Sequence, residues 1–274
     1  MNLDEKFQLL KESIINLGSA AIAYSGGVDS TFLLKVAYDV LGDKVIAVTA
    51  KSSTYPEREF KEATSYISHL GAKHIVIISE ELDIQGFSKN PTNRCYFCKK
   101  ELFTKIKEVA ASHNIKYVLD GSNSDDTGDF RPGMKAAREL QVISPLKDAG
   151  LTKKDIRELS KRLNVPTWNK PSFACLSSRI PYGNEITVEK LGMVEKAEQM
   201  LLDMGFWQVR VRHHGEIARI EVSQEEREKF FSIEIMDKIG TEFRKIGFKY
   251  VTLDLLGYRT GSMNEVLTED QKTI

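Results

Sequence analysis

Apolar positions change period along the chain. "AAIAYS" (20–25) is a short apolar run of the kind that makes a buried strand, and "STFLLKVAYDVLG" has the spacing of a helix ending at Gly42. "KVIAVTA" (44–50) predicts a second strand. "PEREFKEATSYISHLG" predicts a helix with Pro56 in its first turn and Gly71 at its end, and "HIVIIS" (74–79) a third strand. "CKKELFTKIKEVAASHN" reads as a helix and "YVLDGS" as a fourth strand; ahead of all these, "MNLDEKFQLLKESIINLG" is an amphipathic helix. This alternation predicts an α/β fold, a parallel sheet with helices on both faces. Ligands of such sheets sit beyond the carboxyl ends of the strands.

Thr152, with Asp155 three residues on, is a cap for a helix over 151–164. The periodicity then breaks, and Pro166, Pro171 and Pro181 punctuate the segment. A helix (187–204), strands "WQVRVRHH" and "IARIEV", a helix (224–246) and the strand "YVTLDLL" follow as a small α+β unit. The expected organisation is a first domain over 1–165, a loop and linker over 166–185, and a C-terminal α+β domain over 186–274.

With 41% hydrophobic and 28% charged residues, the chain can bury a core. No run approaches the roughly 18 apolar residues of a membrane span, and the acidic amphipathic start is not a signal peptide, so a cytoplasmic location without a membrane partner is expected. The 39 basic and 39 acidic residues cancel. A nucleic-acid partner usually demands a basic excess, so none is expected. Three cysteines in a reducing compartment are not a disulfide framework.

The loop "AYSGGVDS" (23–30) joins the first strand to its helix. Gly26 and Gly27 let backbone N–H groups face an anion, and the helix N-terminus adds its dipole. Ser25, Ser30 and Thr31 supply hydroxyls, and Asp29 beside a phosphate implies Mg²⁺. The Gly-Lys-Ser/Thr of a Walker loop is absent. The motif resembles the S-G-G-x-D-S signature of the PP-loop ATP pyrophosphatases, adenine nucleotide alpha hydrolase-like proteins, over about the first 165 residues. The resemblance implies cleavage of ATP between its α and β phosphates and adenylylation of an oxygen. Ser52 after the second strand is placed toward the adenosine. After the fourth, Gly121 and Asn123 permit close approach and Asp126 supports the metal.

"NRCYFCKK" (93–100) holds Cys95 and Cys98, and "PSFACLSSRIPYG" holds Cys175 in an irregular loop. Arg179 is four residues from Cys175, where it can lower a thiol pKa, and Ser177 and Ser178 can donate to a thiolate. "ACLSSRIPYG", "FRPG" (130–133), "VRVRHHGEIARIE" and "YVTLDLLGYRTGSMNEVL" resemble the LarE family, across essentially the whole chain. That resemblance implies an ATP-dependent pyridinium-3,5-biscarboxylic acid mononucleotide sulfurtransferase, acting in biosynthesis of the nickel-pincer nucleotide cofactor of lactate racemase. It implies Cys175, Ser178 and Arg179 as catalytic residues. Family members with a Cys-x-x-Cys at this position resemble three-cysteine 4Fe–4S sulfurtransferases, which implies Cys95, Cys98 and Cys175 as ligands with the fourth iron open. In other members the cysteine matching Cys175 surrenders its own sulfur. A zinc site completed by His69, His74 or His113 is a further reading.

On a strand, Arg210 and Arg212 share one face and suit the phosphate and carboxylates of such a substrate. Arg259 is a further candidate, with Asp237 to orient an arginine. A homo-oligomer, hexameric by the family resemblance, is expected. An amidating ligase such as an NAD synthetase-like enzyme, a tRNA-thiolating enzyme, and a non-enzymatic nucleotide binder or zinc scaffold are the competing classes.

Overall fold

The computed structural model describes residues 1–128, 132–259 and 261–268. Their contacts divide into two units: 1–80 with 93–173, and 81–92 with the chain from 174 onward.

The first unit is built on parallel strands. α1 (Leu3–Leu17) starts in a capping box between Asn2 and Glu5. β1 (Ala20–Ala23), α2 (Val28–Leu41), β2 (Val45–Lys51), α3 (Glu57–Leu70), β3 (Lys73–Ile78), α4 (Arg94–Ser112) and β4 (Val118–Leu119) follow. The sheet order is β3-β2-β1-β4. α5 (Pro132–Glu139), α6 (Pro145–Asp148) and α7 (Lys153–Arg162) complete the unit.

Alternation along the strands makes two cores. Ala20, Ile22, Val45, Ala47 and Leu119 face α1, α2, α3 and α7 through Leu10, Ile14, Phe32, Leu33, Ile67, Ile156 and Leu159. Ala21, Ile46, Val48 and Val118 face α4 and α5 through Phe103, Ile106, Ala110 and Ala137. Helices therefore cover both faces, as the repeated alternation predicts.

Three local expectations need correction. The fourth strand is only two residues long, because the Asp120 carboxylate turns to Ser122 and Ser144; Leu119 bridges to Ile143. The helix expected from Cys98 begins at Arg94, so it takes in both cysteines. The helix expected over 224–246 is a 3-10 turn, Arg227–Phe231, then α9 (Ile233–Ile246); between them Ser232 leaves helical geometry and caps α9 through its hydroxyl.

In the second unit, α8 (Val188–Asp203) precedes β5 (Val209–His214) and β6 (Ile217–Val222), which pair antiparallel. β7 (Tyr250–Leu253) pairs parallel to β6 after α9. Val209, Val211, Ala218, Ile220 and Val222 form the core with Leu201, Ile239 and Phe243. The segment 81–92 is stitched to this unit: Asn90 Nδ2 donates to the Ile180 and Pro181 carbonyls at 3.1 and 2.7 Å, and the Ile186 N–H to the Ser88 carbonyl at 2.8 Å. No helix of the described residues is long and apolar enough to cross a membrane.

Candidate functional site

β1 ends at Ala23 and the chain turns before α2 begins at Val28. Gly26 has φ +65°, and a Cβ there would stand 2.7 Å from the Ala63 Cβ on α3. Gly26→Ala is expected to destabilise by about 2–4 kcal/mol, left-handed strain adding to overpacking. A denaturant midpoint unchanged from wild type would contradict this.

The Ser25 N–H donates to Ser30 Oγ at 3.3 Å, the two hydroxyls lie 3.2 Å apart, and the Thr31 N–H donates to the Gly27 carbonyl at 3.0 Å. These bonds fold the loop onto the first turn of α2, where the dipole favours an anion. After β4, Gly121 packs against the same turn; a Cβ there would lie 3.0 Å from the Ser30 nitrogen. Ser25, Gly26, Gly27, Asp29, Ser30, Thr31 and Gly121 therefore come together where β1 and β4 diverge, the switch point of the sheet order.

Asp29 Oδ2 accepts from Lys153 Nζ at 2.5 Å, while Oδ1 is buried without a hydrogen-bond partner. Lys153 opens α7, and its N–H donates to Asp125 Oδ2 at 2.8 Å. A Thr152–Asp155 capping box fixes that helix end, with Lys6 Nζ 2.8 Å from Asp155. Asp126 is nearly buried in the loop after β4 and accepts from the Asn123 N–H at 2.9 Å. Ser52 lies after β2, its hydroxyl 3.1 Å from that of Thr54.

Two lysines from later in the chain thus reach a loop that lacks a Walker lysine. Lys170 Nζ stands 2.7 Å from Glu59, 2.8 Å from Glu62 and 3.4 Å from the Gly26 carbonyl. Burial pushes the Glu59 carboxyl up against the pull of Lys170, whereas Lys170 and Arg58 hold the more open Glu62 below its usual range despite its burial. Sequence reasoning missed Lys153, Lys170 and Tyr55, whose hydroxyl donates to the Ser25 carbonyl at 2.8 Å. The Thr152 cap was a usable signal for Lys153, since it sets that lysine at a helix start. Nothing local marks Lys170.

In the second unit Cys175 is exposed, at the head of a 3-10 turn, Leu176–Arg179. Arg179 is fully buried. Its Nε and Nη2 fork onto Glu198 of α8, each at 2.8 Å. Nη1 donates to the Ala174 carbonyl at 2.5 Å, the Cys175 carbonyl at 3.0 Å and Ser178 Oγ at 3.1 Å. These hydrogen bonds grip the backbone of the cysteine loop rather than its sulfur. Glu198 carried a readable signal: with Leu191, Val194 and Leu201 it falls on the buried stripe of α8, where a carboxylate demands a partner.

Arg212 is buried and forks onto Glu221 at 2.9 and 2.8 Å, donating also to the Ser178 carbonyl at 2.8 Å and Ser262 Oγ at 3.0 Å. The Arg210 guanidinium lies 5.0 Å from the Tyr258 ring centroid. Burial and the neighbouring Arg179 push its pKa down to about 10. Arg259 pairs with Glu265 at 3.3 Å. Asp237 is exposed on α9 and pairs with no arginine among the described residues.

Cys95 is exposed and Cys98 half-buried; no disulfide joins the three cysteines. The first two belong to the first unit and Cys175 to the second. Among the described residues no group of three or more His, Cys, Asp or Glu is placed to hold a metal ion. His74 meets the Thr49 hydroxyl at 2.9 Å and His113 the Val109 carbonyl at 3.0 Å. Phe130, Arg131 and Thr260, within the motifs "FRPG" and "GYRTGSMNEVL", lie outside the described residues.

No protein-family model matches the chain. It is 43% identical over 267 residues to an uncharacterized protein of Synechocystis sp., covering 97% of this chain and 100% of that one. It is 38% identical over 270 residues to the pyridinium-3,5-bisthiocarboxylic acid mononucleotide synthase of Lactiplantibacillus plantarum, covering 98% and 97%. A subunit of the glutamine-hydrolyzing GMP synthase of Archaeoglobus fulgidus is 29% identical over 216 residues, 70% of this chain and 68% of that one. The more distant likeness accords with a PP-loop α/β fold, and the nearly full-length one is narrower: the chain belongs to the LarE family of PP-loop enzymes, that of the pyridinium-3,5-bisthiocarboxylic acid mononucleotide synthase.

Proposed function

We propose that this enzyme uses ATP to adenylylate a carboxylate of pyridinium-3,5-biscarboxylic acid mononucleotide and exchanges its oxygen for sulfur. The carrying observation is the end-to-end likeness to the Lactiplantibacillus plantarum synthase. A carboxylate oxygen attacks the α-phosphorus of ATP and pyrophosphate leaves. A sulfur nucleophile then adds to the acyl carbon and AMP departs with the oxygen, giving a thiocarboxylate. Two such rounds make a bisthiocarboxylate.

The chain's residues support each part. The turn of Ser25, Gly26 and Gly27 grips phosphate oxygens. The orphaned Oδ1 of Asp29 suits a Mg²⁺ ion, which would lend charge neutralisation to the phosphates. Arg179, Arg210 and Arg212 face two buried carboxylates, Glu198 and Glu221, so the cluster favours an added anion. Within that cluster Arg210, stacked near Tyr258 and donating to the Val209 carbonyl at 2.6 Å, is the residue assigned to the mononucleotide. Arg210→Ala is expected to raise KM for the mononucleotide at least about tenfold, the value of one charge-assisted contact, with KM for ATP unchanged. Equal losses for both would make the residue structural.

For the sulfur, three thiols outside any disulfide, two of them three residues apart on one helical turn, suit a 4Fe–4S cluster in donor type and number. Cys95, Cys98 and Cys175 would hold it, and the chemistry it would supply is sulfide bound at an iron without a protein ligand. Protein purified without oxygen is expected to contain iron and acid-labile sulfide, and the Cys175 peptide to keep its mass after turnover. Dehydroalanine at position 175, with full single-turnover activity in a Cys95→Ala/Cys98→Ala variant, would instead make Cys175 the sulfur donor. Pyrophosphate release from ATP only when the mononucleotide is present tests the wider assignment; release with ammonia as acceptor and no thiocarboxylate formed would replace it with an amidating one.

A further inference from the structure

We propose that Tyr55 and Lys170 are positioning residues that preset the phosphate turn, by tying back its two successive carbonyls so that the Gly26 and Gly27 amides stand ready for the departing pyrophosphate. This rests on the adenylylation reading above and concerns the same site.

The two bonds are independent in origin. The Tyr55 hydroxyl, from the loop after β2, donates to the Ser25 carbonyl at 2.8 Å. Lys170, from the segment after α7, donates to the Gly26 carbonyl at 3.4 Å. A trans peptide points its C=O and N–H in opposite directions. Fixing the Ser25 carbonyl therefore aims the Gly26 N–H away from Tyr55, and fixing the Gly26 carbonyl aims the Gly27 N–H away from Lys170. Among the described residues neither amide donates a hydrogen bond. Gly26 is left-handed at φ +65° and Gly27 extended at φ −75°, so the pair turns through a conformation that an unrestrained glycine dipeptide would leave freely.

Both clamps are themselves held. The Tyr55 ring packs edge-on to Phe60 with centroids 6.4 Å apart. The Lys170 side chain is 11% exposed and bridges Glu59 and Glu62 of α3. Arg157 fixes the backbone beneath it, donating to the Trp168 and Lys170 carbonyls at 2.7 and 2.8 Å. With both clamps in place, the entropy of ordering the turn is spent during folding rather than when the anion arrives.

The experiment compares wild type, Tyr55→Phe and Lys170→Met/Glu59→Gln. The second variant removes the lysine without leaving its most buried acid charged. The probes are inorganic pyrophosphate and AMP, each titrated by calorimetry with Mg²⁺ present, alongside unfolding midpoints. Tyr55→Phe is expected to bind pyrophosphate about tenfold more weakly, the value of one hydrogen bond. Its AMP affinity should stay at the wild-type value, its unfolding midpoint should fall by no more than the loss of one hydrogen bond, and KM for ATP should rise with kcat nearly unchanged. The double variant is expected to show the same split. Undiminished pyrophosphate binding in both variants, or equal losses for pyrophosphate and AMP, would overturn this assignment while leaving the nucleotide reading intact. Wild-type protein that binds neither probe would overturn both.

Discussion

Asp29→Ala removes pyrophosphate release, by roughly 10³-fold or more, and leaves the fold in place. The carboxylate sits on the first turn of α2 inside an anion-binding loop, where its charge opposes phosphate unless a cation intervenes. In this structure Lys153 neutralises one oxygen at 2.5 Å and the other is buried and unpaired. A folding role would satisfy both oxygens; half-satisfaction marks a group waiting for a further cation. Losing a single preorganised charge stabiliser costs about 10²–10³-fold, and losing a metal's anchor costs at least that. The measurement is pyrophosphate released per enzyme with saturating ATP and mononucleotide, beside circular dichroism of the variant. Normal turnover would remove this loop from the reaction.

Arg179→Met unfolds at markedly lower denaturant, with a loss of about 3–5 kcal/mol, because it strands a carboxylate inside the second unit. Glu198 is buried, and the burial works against its charge. The Arg179 fork, with Arg210 and the Val211 N–H, nonetheless holds its carboxyl below the usual range. A depressed carboxyl stabilises the fold above its unfolded pKa, and that stability is lost as pH falls through the folded value. In the variant the sign reverses: with the guanidinium gone, burial raises the Glu198 pKa, so the deficit relative to wild type shrinks as acid neutralises the group. Arg179→Lys should recover little, since an ammonium cannot fork onto the carboxylate while reaching the Ala174 and Cys175 carbonyls. A deficit that is small, or that does not change with pH, would mean Glu198 finds another partner.

The legible parts of this chain are those with local punctuation. Gly42 and Gly71 close their helices as glycine permits, and Thr152 with Asp155 forms the expected box. The S-G-G-x-D-S turn also carries its chemistry locally, since two glycines and a helix start suffice to specify an anion site. What escaped notice depends on distant partners. Lys153 and Lys170 reach residues more than a hundred positions earlier. Asp120 shortens β4 through a bond to Ser144, 24 positions on, which no strand pattern encodes. The alternation of β5 put Arg210 and Arg212 on one face, but it could not say that Glu221 already holds Arg212. Buried charge looks the same as surface charge in a linear reading until its counter-ion is found.

The excursion of residues 81–92 into the second unit also governs how this polypeptide can be cut. The chain changes unit at 80/81, at 92/93 and again at 173/174. A fragment beginning at Ala174 would therefore lack a piece of its own body, and the Ile180 and Pro181 carbonyls and the Ile186 amide would lose their donors and acceptor. Neither unit is a removable cassette. A fragment expressed from Ala174 onward should therefore be less stable than the same residues supplied with 81–92 as a peptide, whereas a single cut near residue 173 in the folded chain leaves that segment bound.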